Sequence, residues 1–563
     1  MSCDRISELP DSLLTQVLSY LPTKDSVKTS VLSKRWELLW LSVPVLDLKV
    51  SDFPDEDYAR FIDKFMDFNR NSRMQMFKIK YDDYTYDDDR LTGWVSTAVN
   101  RGIEHLDAKG FETDMCIREF MPLDIYKSNT LVSLVLVTVG IVNPEFVVSL
   151  PCLKILHLED VWYFDDPLIM EKVISGCPVL EDLVLIRPFD FCDLDVLQFL
   201  RLRSLTLKRF RLTFEYSNGA VNRGIEHLDA KGFETDMCIR EFMPLDIYKS
   251  NTLVSLVLVT VGIVNPEFVV SLPCLKILHL EDVWYFDDPL IMEKVISGCP
   301  VLEDLVLIRP FDFCDLDVLQ FLRLRSLTLK RFRLTFEYSN GGTFYSVEID
   351  APRLEYLNFN DDNSDMVIVK NLTSLFMIDI DTEFNVKLGG SPLEPGDLSK
   401  RDTIRDFLTG VSCVRHMIIS LRTLEVLYRY SKLGPIPRFD NLYRLQAAIS
   451  GSLLQLLLVF LESCPNLENL ILDFVVSTEP EQGGVDYVPQ CLLSSLESVE
   501  IRELVIGEET GMKLVKYFLK NSVVLQRLTL HFKDSSIANQ DSDIKKELHT
   551  FTKRSRNCEV IIH

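Results

Sequence analysis

The nonapeptide CPVLEDLVL occurs twice in this chain, at residues 177–185 and again at 299–307, and CPNLENLIL follows the same pattern at 464–472. Each segment contains LxxLxL or a close relative, in which two aliphatic residues flank one outward position. Because successive side chains of a strand point to opposite faces, such a triplet buries its two outer residues on one face. The pattern therefore predicts a short strand that needs an apolar layer behind it.

The same pattern recurs along the chain with steps of 22, 27 and 22 residues. In two consecutive series it begins at Leu131, Leu153, Leu180 and Leu202, and at Leu253, Leu275, Leu302 and Leu324; weaker versions begin at Leu354, Leu372, Leu467, Leu496 and Leu525. This spacing is typical of leucine-rich repeats. A lone strand cannot bury its leucines, whereas stacked neighbours gain about 1.5 to 3 kcal/mol from each. The sequence thus predicts a solenoid that is stable only as an array.

A helix is predicted before the repeated strand. The segment DPLIMEKVISGCP at 166–178 places apolar residues at helical spacing and ends with Gly176 and Pro178, which favour termination. Helices therefore alternate with parallel strands, and the fold class is α/β. Cys177 lies at the corner between helix and strand, where we expect a small apolar filler rather than a nucleophile, since no histidine keeps a fixed local relation to it.

A perfect tandem duplication lies inside the repeat region: residues 98–219 are identical to residues 220–341, a block of 122 residues. Identity without drift indicates either a recent duplication or an artefact of how the coding sequence was assembled. The residues before the block differ between the copies. The first copy begins within WVSTAVNRGIEHLD at 94–107, which is typical of a helix running into a strand, whereas EYSNG precedes Ala220. We expect the helix at Trp94 to be shortened or lost in the second copy, leaving a loop near Asn218 and Gly219.

Composition narrows the possible partners. The chain has 563 residues, 47% of them hydrophobic, and 84 acidic against 60 basic residues give a net charge of -24. Such a charge opposes non-specific attraction to nucleic acid and to anionic membranes. The longest apolar stretches, 12 residues at 131–142 and 9 at 453–461, are shorter than the ~20 that a membrane helix needs. Charges near the amino terminus make a secretory signal improbable.

Metal, cofactor and catalytic motifs are not indicated. No two of the 13 cysteines lie closer than 15 positions, so they are expected to be reduced, buried thiols, and the 8 histidines are scattered. His157 and His279 have no second ligand nearby in sequence. The acidic runs at 81–90 and 360–365 are expected to be solvated loops, because the second has Met366 and Leu372 where a calcium loop requires Gly and Glu. Walker A, GxSxG, HExxH and GxGxxG patterns do not occur.

The amino-terminal segment ISELPDSLLTQVLSYLPTKDSVKTSVLSKRWELLW, at 6–40, carries a concentrated apolar face. Asp11 is predicted to cap a first helix that Pro22 ends, and Thr23 to cap a second. The apolar side chains expected to share the face of the first helix are Leu13, Leu14, Val17, Leu18 and Leu21. About forty residues cannot readily bury all of this surface alone, so the segment is predicted to present some of it to a partner.

Leu9-Pro10, the LLxxVLxxLP run and VLSKRW at 31–36 resemble an F-box, the three-helix module that docks on the Skp1 adaptor of cullin-RING ubiquitin ligases. The resemblance runs through the whole motif. It implies that the adaptor-binding residues are Leu9, Pro10, Leu13, Leu14, Val17, Leu18, Leu21, Pro22, Val27, Val31 and Trp36.

A second resemblance covers residues 488–532, which are similar to the FBD domain of plant F-box proteins. Together the resemblances imply a non-catalytic substrate receptor of an SCF-type E3 ligase. Its partners would be a Skp1-like adaptor, through it a cullin, and an unidentified protein substrate, without a cofactor, in the nucleus, the cytoplasm or both. A repeat scaffold outside any ligase, and an enzyme with a hidden site, are the alternatives.

The expected division of the chain is an F-box at 1–48, a linker with first repeat-like elements at 49–97, two identical repeat blocks at 98–219 and 220–341, degenerate repeats at 342–487, and FBD-like repeats at 488–563.

Outward-facing strand residues line the concave side of such solenoids, and rim loops compete with them as a substrate site. The candidates are Ser133, Val135, Ile155, His157, Asp182, Val184, Ser204 and Thr206, with their copies Ser255, Val257, Ile277, His279, Asp304, Val306, Ser326 and Thr328.

Overall fold

The structure is a computed structural model divided into two compact units, Met1–Val264 and Asn265–His563. It describes residues 6, 8–48, 53, 57–68, 73–80, 90–110, 120–163, 169–186, 189–190, 206–213, 225–232, 243–285, 291–309, 321–336, 345–362, 364–384, 386, 398–450, 454–475, 487–505, 509–533, 548 and 550–563. Each unit is described by itself below.

The first unit begins with a small helical bundle. Helices α1 (Asp11–Leu18) and α2 (Thr23–Lys28) are followed by 3-10 turns at Thr29–Val31 and Leu39–Ser42, the second of which stands in the place of a third helix. The bundle has its own core, formed by Leu14, Leu18, Trp36, Leu39 and Val43.

The predicted capping roles of Asp11 and Thr23 are wrong. Both helices are preceded by a proline, Pro10 or Pro22, whose φ of -58° or -53° suits the position and whose carbonyl accepts the first helical bond. Asp11 and Thr23 are therefore the first helical residues. The Thr23 hydroxyl instead accepts a 2.9 Å hydrogen bond from the amide of Asp47, and α1 ends at Leu18, before the predicted stop.

Repeats occupy the rest of the first unit. Its further helices are α3 (Asp57–Phe68), α4 (Arg90–Asn100) and α5 (Ile169–Ser175), with 3-10 turns at Leu123–Lys127 and Leu245–Lys249. Its strands are β1 (Val45–Leu48), β2 (Met76–Lys80), β3 (His105–Lys109), β4 (Ser133–Val137), β5 (Gly140–Ile141), β6 (Ile155–Glu159), β7 (Trp162–Tyr163), β8 (Asp182–Ile186), β9 (Phe189–Asp190), β10 (Arg209–Thr213), β11 (His227–Lys231), β12 (Ser255–Val259) and β13 (Gly262–Ile263).

The main sheet of the first unit is parallel, in the order β1, β2, β3, β4, β6, β8, β10, β11, β12. A second parallel ribbon joins β5, β7 and β9. In β4, β6 and β8 buried leucines alternate with partly exposed residues, as the LxxLxL pattern predicts. The outward face of each strand, which carries both polar and aliphatic side chains, is thus open, and the leucine face closes the core.

The second unit continues the same architecture. Its helices are α6 (Ile291–Ser297), α7 (Leu398–Gly410), α8 (Leu421–Ser431), α9 (Leu454–Leu461), α10 (Gln490–Ser494) and α11 (Glu509–Asn521). Its strands are β14 (Ile277–Glu281), β15 (Trp284–Tyr285), β16 (Asp304–Arg309), β17 (Phe321–Arg325), β18 (Arg331–Phe336), β19 (Tyr345–Asp350), β20 (Tyr356–Asp361), β21 (Ser364–Lys370), β22 (Met377–Asp381), β23 (His416–Ile419), β24 (Arg444–Ser450), β25 (Asn469–Val475), β26 (Ser498–Leu504), β27 (Arg527–Phe532) and β28 (Glu559–Ile562).

Parallel pairing again runs through this unit in one order: β14, β16, β18, β20, β22, β23, β24, β25, β26, β27, β28. Strands β17, β19 and β21 form a separate parallel ribbon. The α/β solenoid predicted from leucine spacing is therefore confirmed in both units.

The two sequence copies fold alike at the helix-to-strand corner. Cys177 and Cys299 are buried, and each thiol donates to a carbonyl in the preceding helix, of Val173 or Val295, at 3.1 Å. The preceding glycine is required by close approach, because a Cβ on Gly176 would meet the carbonyl oxygen of Val148 at 2.6 Å. Cys177 is thus the apolar filler that the sequence predicts.

Two of the predicted strand registers are wrong. The pattern beginning at Leu324 places a strand over residues 327–329, yet Leu327 is 75% exposed and the sheet strand is β18, at Arg331–Phe336. The structural repeat is Leu329-Lys330-Arg331-Phe332-Arg333-Leu334, in which Phe332 takes the middle leucine position. Similarly, the pattern beginning at Leu372 places a strand over residues 375–377, whereas β22 runs over Met377–Asp381.

That shift removes Ser326 and Thr328 from the sheet face. The Ser326 hydroxyl accepts from the amides of Thr328 and Leu329, and the Thr328 hydroxyl donates to the Leu302 carbonyl at 2.8 Å. In the first copy Thr206 makes the corresponding bond to the Leu180 carbonyl. These hydroxyls close turns between repeats, so the prediction that they are outward-facing strand residues is wrong for Thr206, Ser326 and Thr328. Ser204 lies outside the described residues.

At the junction of the copies, α4 precedes β3 as expected in the first copy. The loop predicted near Asn218 and Gly219 lies outside the described residues. On either side of it β10 and β11 pair in parallel register, from Arg209 with His227 to Thr213 with Lys231. The duplicated block therefore enters the sheet as a regular strand.

Candidate protein-interaction surfaces

The apolar residues predicted to share one face of α1 lie on two different faces of the helix. Leu14 and Leu18 are buried in the bundle core, whereas Leu13 and Val17, one helical turn apart, are 45% and 50% exposed. Leu21 is also exposed just beyond the helix. The first helix therefore uses one stripe to hold the bundle together and presents the other to solvent.

The remaining residues predicted to bind an adaptor divide in the same way. Val31 is 85% exposed, Pro10 and Pro22 are exposed, and Val27 is half-buried. Leu9 is half-buried against the core, and Trp36 is buried within it. Leu14, Leu18 and Trp36 thus face the bundle interior, because so small a bundle needs these side chains for its own core, and the expectation that they contact a partner is wrong for this conformation.

Three exposed apolar residues of the bundle were missed from the sequence. Tyr20, Leu32 and Leu38 are all more than half exposed. Leu32 and Leu38 fall outside the helical spacing that identified the other residues. Tyr20, three residues after Val17 and seven after Leu13, fits that spacing and could have been found from it. They add to the exposed apolar side chains that the bundle carries.

Arg35 links the segment after α2 to the start of α1. Its guanidinium donates to the Asp11 carboxylate, through Nε at 3.0 Å and Nη2 at 2.7 Å, and also to the Leu9 carbonyl. A two-pronged guanidinium contact fixes orientation even where solvent weakens its energy. It ties the start of α1 to the segment that carries Val31.

The bundle is also joined to the repeats of its unit. Trp40 stacks on Phe61 and Phe65 of α3, with ring centroids 5.4 and 6.3 Å apart. Strand β1 follows directly and pairs with β2, starting the sheet. The exposed apolar residues are consequently carried on a bundle that is packed against the first repeats of its unit.

The open sheet face carries most of the predicted substrate residues. In the first unit Ser133, Ile155 and Asp182 lie side by side on neighbouring strands, as do Val135, His157 and Val184. In the second copy Ser255 and Val257 lie on β12 of the first unit, and Ile277 with Asp304 and His279 with Val306 are neighbours in the second unit. All twelve are at least partly exposed.

The two histidines on this face each have a carboxylate partner on their own strand. His157 Nε2 lies 3.1 Å from Glu159 Oε2, and His279 lies 3.0 Å from the equivalent oxygen of Glu281. At the helix-to-strand corner, away from this face, burial raises the pKa of the Cys177 and Cys299 thiols to about 12, so both are neutral at physiological pH. Within the described part of the chain there is no group of three His, Cys, Asp or Glu side chains arranged to hold a metal ion.

The acidic run at 360–365 is not the solvated loop that the sequence suggests. The Arg422 guanidinium, from the start of α8, pairs with Asp362, bonds Asp381 through Nε at 2.5 Å and reaches the Asn360 side chain at 3.2 Å. The hydrogen bond that Arg422 donates to the Asp381 carboxylate is the main cause that raises the pKa of Arg422 above its ordinary value. Arg422 lies about sixty residues from the acidic run in sequence, so no local sequence pattern predicts this ion pair. The other acidic run lies outside the described residues, apart from Arg90.

Comparison with known proteins agrees with this arrangement. The F-box domain family matches residues 6–48, the Leucine Rich Repeat family residues 152–178 and 274–300, and the FBD family residues 486–530. Such a combination defines a plant F-box protein with repeats. The F-box/FBD/LRR-repeat protein At2g26030 of Arabidopsis thaliana is 64% identical over 562 residues, with 100% of both chains covered.

Two further Arabidopsis thaliana relatives cover the chain almost entirely. The putative F-box/FBD/LRR-repeat protein At5g44950 is 46% identical with 100% of both chains covered, and F-box/FBD/LRR-repeat protein At5g44980 is 41% identical with 100% of this chain and 99% of its own covered. The chain belongs to the F-box/FBD/LRR-repeat protein family. No helix in the described residues has the length and apolar character to cross a membrane.

Proposed function

We propose that this protein is a substrate receptor of an SCF-type E3 ubiquitin ligase. The observation that carries the proposal is the exposed apolar surface of the amino-terminal bundle, formed by Leu13, Val17, Leu21 and Val31. Contiguous exposed apolar surface marks interaction sites on soluble proteins. A Skp1-like adaptor, which F-box modules bind, covers this surface and links the chain to a cullin.

The position of the surface supports the proposal. Leu13 and Val17 are anchors one turn apart on a short helix, the spacing with which a helix enters an apolar groove. The core residues Leu14, Leu18 and Trp36 fix the orientation of that helix from behind. Substituting the exposed anchors therefore changes the interface without removing core side chains.

The repeats supply the other half of the function. Their open sheet face binds a protein substrate, while the ubiquitin-carrying enzyme acts elsewhere in the complex, so the chain itself contributes no catalytic residue. The work of the complex is placed in the nucleus, the cytosol or both, and the domain division given above is retained as part of this proposal. A repeat scaffold outside any ligase is the competing function.

Adaptor binding tests the proposal directly. The full chain and its Leu13→Asp/Val17→Asp variant are compared for binding to a purified Skp1-like protein. Two charges in the interface are expected to weaken binding at least about tenfold, since burying an unpaired carboxylate costs more than 1.4 kcal/mol. Thermal unfolding should be unchanged, because both side chains are exposed.

Val147→Asp is the matched control, because Val147 is 89% exposed in the same unit but lies outside the bundle. It should bind the adaptor like the parent. Full adaptor binding by the double variant, or none by the parent chain, would exclude the receptor function and favour the scaffold.

A further inference from the structure

Strands β10 and β18 share the sequence RFRLT but have different neighbouring strands: β10 pairs with β11, and β18 pairs with β20. Because of this difference, only one of the two copies of an outward-facing arginine has a carboxylate as its direct neighbour on that side. On one side both strands face the same residues: Arg209 Nη2 lies 2.9 Å from Asp182, and Arg331 Nε lies 2.8 Å from Asp304. The first arginine of each strand is therefore paired with a carboxylate in both copies.

The second arginine of each strand differs between the copies. Arg211 stands opposite Asp229 of β11, and its Nε lies 2.9 Å from that carboxylate. Arg333 stands opposite Asn358 of β20, a neutral side chain. The amide of Asn358 is already engaged, donating to the Asp379 carboxylate at 2.7 Å. Arg333 is exposed, and no hydrogen bond or ion pair joins it to a residue that the structure describes, although its charge acts at longer range on the Asp379 carboxyl and works to lower that group's pKa.

The surroundings of Arg333 form a small recognition surface. Val306 lies beside it on β16 and Asn358 on β20, while Arg331 and Thr335 are the next outward residues of its own strand. The carboxylate on the β20 side is Asp379 of β22, which accepts a hydrogen bond from Asn358 and which the Arg333 charge reaches only through a long-range electrostatic interaction. A free guanidinium beside an apolar side chain and a carboxamide is suited to an acidic side chain on an extended segment.

We propose that Arg333 binds a carboxylate side chain of the protein substrate, and that its copy Arg211 does not because Asp229 occupies its guanidinium. The inference rests on the proposed receptor function and names the chemistry of its substrate. The duplicated sequence thus gives one anion-recognition position rather than two. The reason is that a side chain on the neighbouring strand can pair with the outward arginine and so prevent it from binding a substrate.

A defined peptide probe tests this inference. Fluorescein-labelled octapeptide pools with a fixed central Glu, Gln or phosphoserine and otherwise randomised positions are titrated against the full chain bound to its adaptor, with anisotropy as the readout. The Glu pool should bind at least about tenfold more tightly than the Gln pool, as expected for one charge-assisted pair. Arg333→Ala should abolish that preference, whereas Arg211→Ala should keep it.

Equal binding of the Glu and Gln pools, or equal loss in both arginine variants, would overturn the inference. A phosphoserine pool that alone shows the Arg333-dependent preference would replace carboxylate by phosphate and also contradict it. Thermal unfolding of Arg333→Ala should match the parent, since that side chain is exposed and its attraction to Asp379 acts only at long range.

Replacing the carboxylate beside Arg211 by an amide should create a second binding position. Asp229→Asn places beside Arg211 the same residue type that accompanies Arg333, so the Glu pool should bind with two sites per chain instead of one. A stoichiometry that stays at one with Asp229→Asn would count against the role given to Asp229. Adaptor binding is measured in parallel: if it persists while the Glu preference is absent, only this inference fails, and the receptor function stands.

Discussion

Leu13 and Leu14 show how one residue step decides a role. They are neighbours with the same side chain, yet Leu14 is buried in the core of the bundle and Leu13 faces solvent. A step of one residue rotates the side chain about 100° around a helix, so adjacent leucines cannot share a face. The sequence identifies both as apolar, and packing assigns one to stability and the other to recognition.

Alanine at these two positions should separate the roles. Leu14→Ala is expected to destabilise the bundle by about 2 to 5 kcal/mol, since it leaves a cavity in the core, while Leu13→Ala should stay within about 0.5 kcal/mol of the parent. Hydrogen exchange of peptides covering residues 9–22 in the full chain measures the local stability. Similar protection losses in both variants would contradict the division of α1 into two faces.

At the scale of secondary-structure elements, the leucine pattern alone can assign a strand to the wrong residues. Around β18 the segment LRSLTLKRFRL contains two overlapping registers, and the all-leucine register is the wrong one. In the true register Phe332 and Leu334 are fully buried, while Leu327 of the rejected register is exposed. An aromatic side chain can fill the middle position as well as leucine, so counting leucines alone misplaces the strand. The neighbouring strand sets the register through its hydrogen bonds.

Cysteine reactivity should report the helix-to-strand corner. Cys152 and Cys274 are exposed, whereas burial raises the pKa of Cys177 and Cys299 to about 12 and withholds the reactive thiolate. Iodoacetamide at pH 8.5 should therefore label the first pair and spare the second, as read by peptide mass spectrometry, with complete labelling in denaturant as the control. Rapid labelling of the Cys177 peptide in the folded chain would contradict the packing of this corner.

The same thiols make stability depend on pH. Because their pKa is raised in the folded chain above the ordinary 9.0, the stability they contribute is fully present below pH 9 and is lost as the pH rises from 9 towards 12. Cys177→Ala/Cys299→Ala should reduce the slope of unfolding free energy in that window. An unchanged slope would show that other groups cause it.

At the scale of the whole molecule, the duplication is compatible with folding because the unit being copied is a whole number of repeats. Strand β10 accepts β11 in parallel register, and the new neighbour brings Asp229 to Arg211. Repeat stacks tolerate such insertions since each repeat contacts only its neighbours. The insertion nevertheless changes the outward chemistry at the new boundary.

Removing residues 220–341 should therefore leave a folded chain. The sequence around β10 then becomes the sequence now found around β18, so Arg211 should acquire Asn358 as its neighbour. We expect adaptor binding to persist and the preference for the Glu pool to become sensitive to Arg211→Ala. Loss of cooperative thermal unfolding, or a Glu preference in the shortened chain that Arg211→Ala leaves unchanged, would contradict this account.

The sequence by itself determined the repeat architecture, the duplicated block and the apolar amino-terminal segment, because leucine spacing and residue identity are local properties. It could not determine which leucine of α1 faces outward, which register β18 adopts, or that Arg422 closes the acidic run, since each depends on a neighbour distant in sequence. Only the tertiary structure distinguished Arg333 from its identical copy. A side chain's chemistry is fixed by its own identity, but its availability is fixed by the strand beside it.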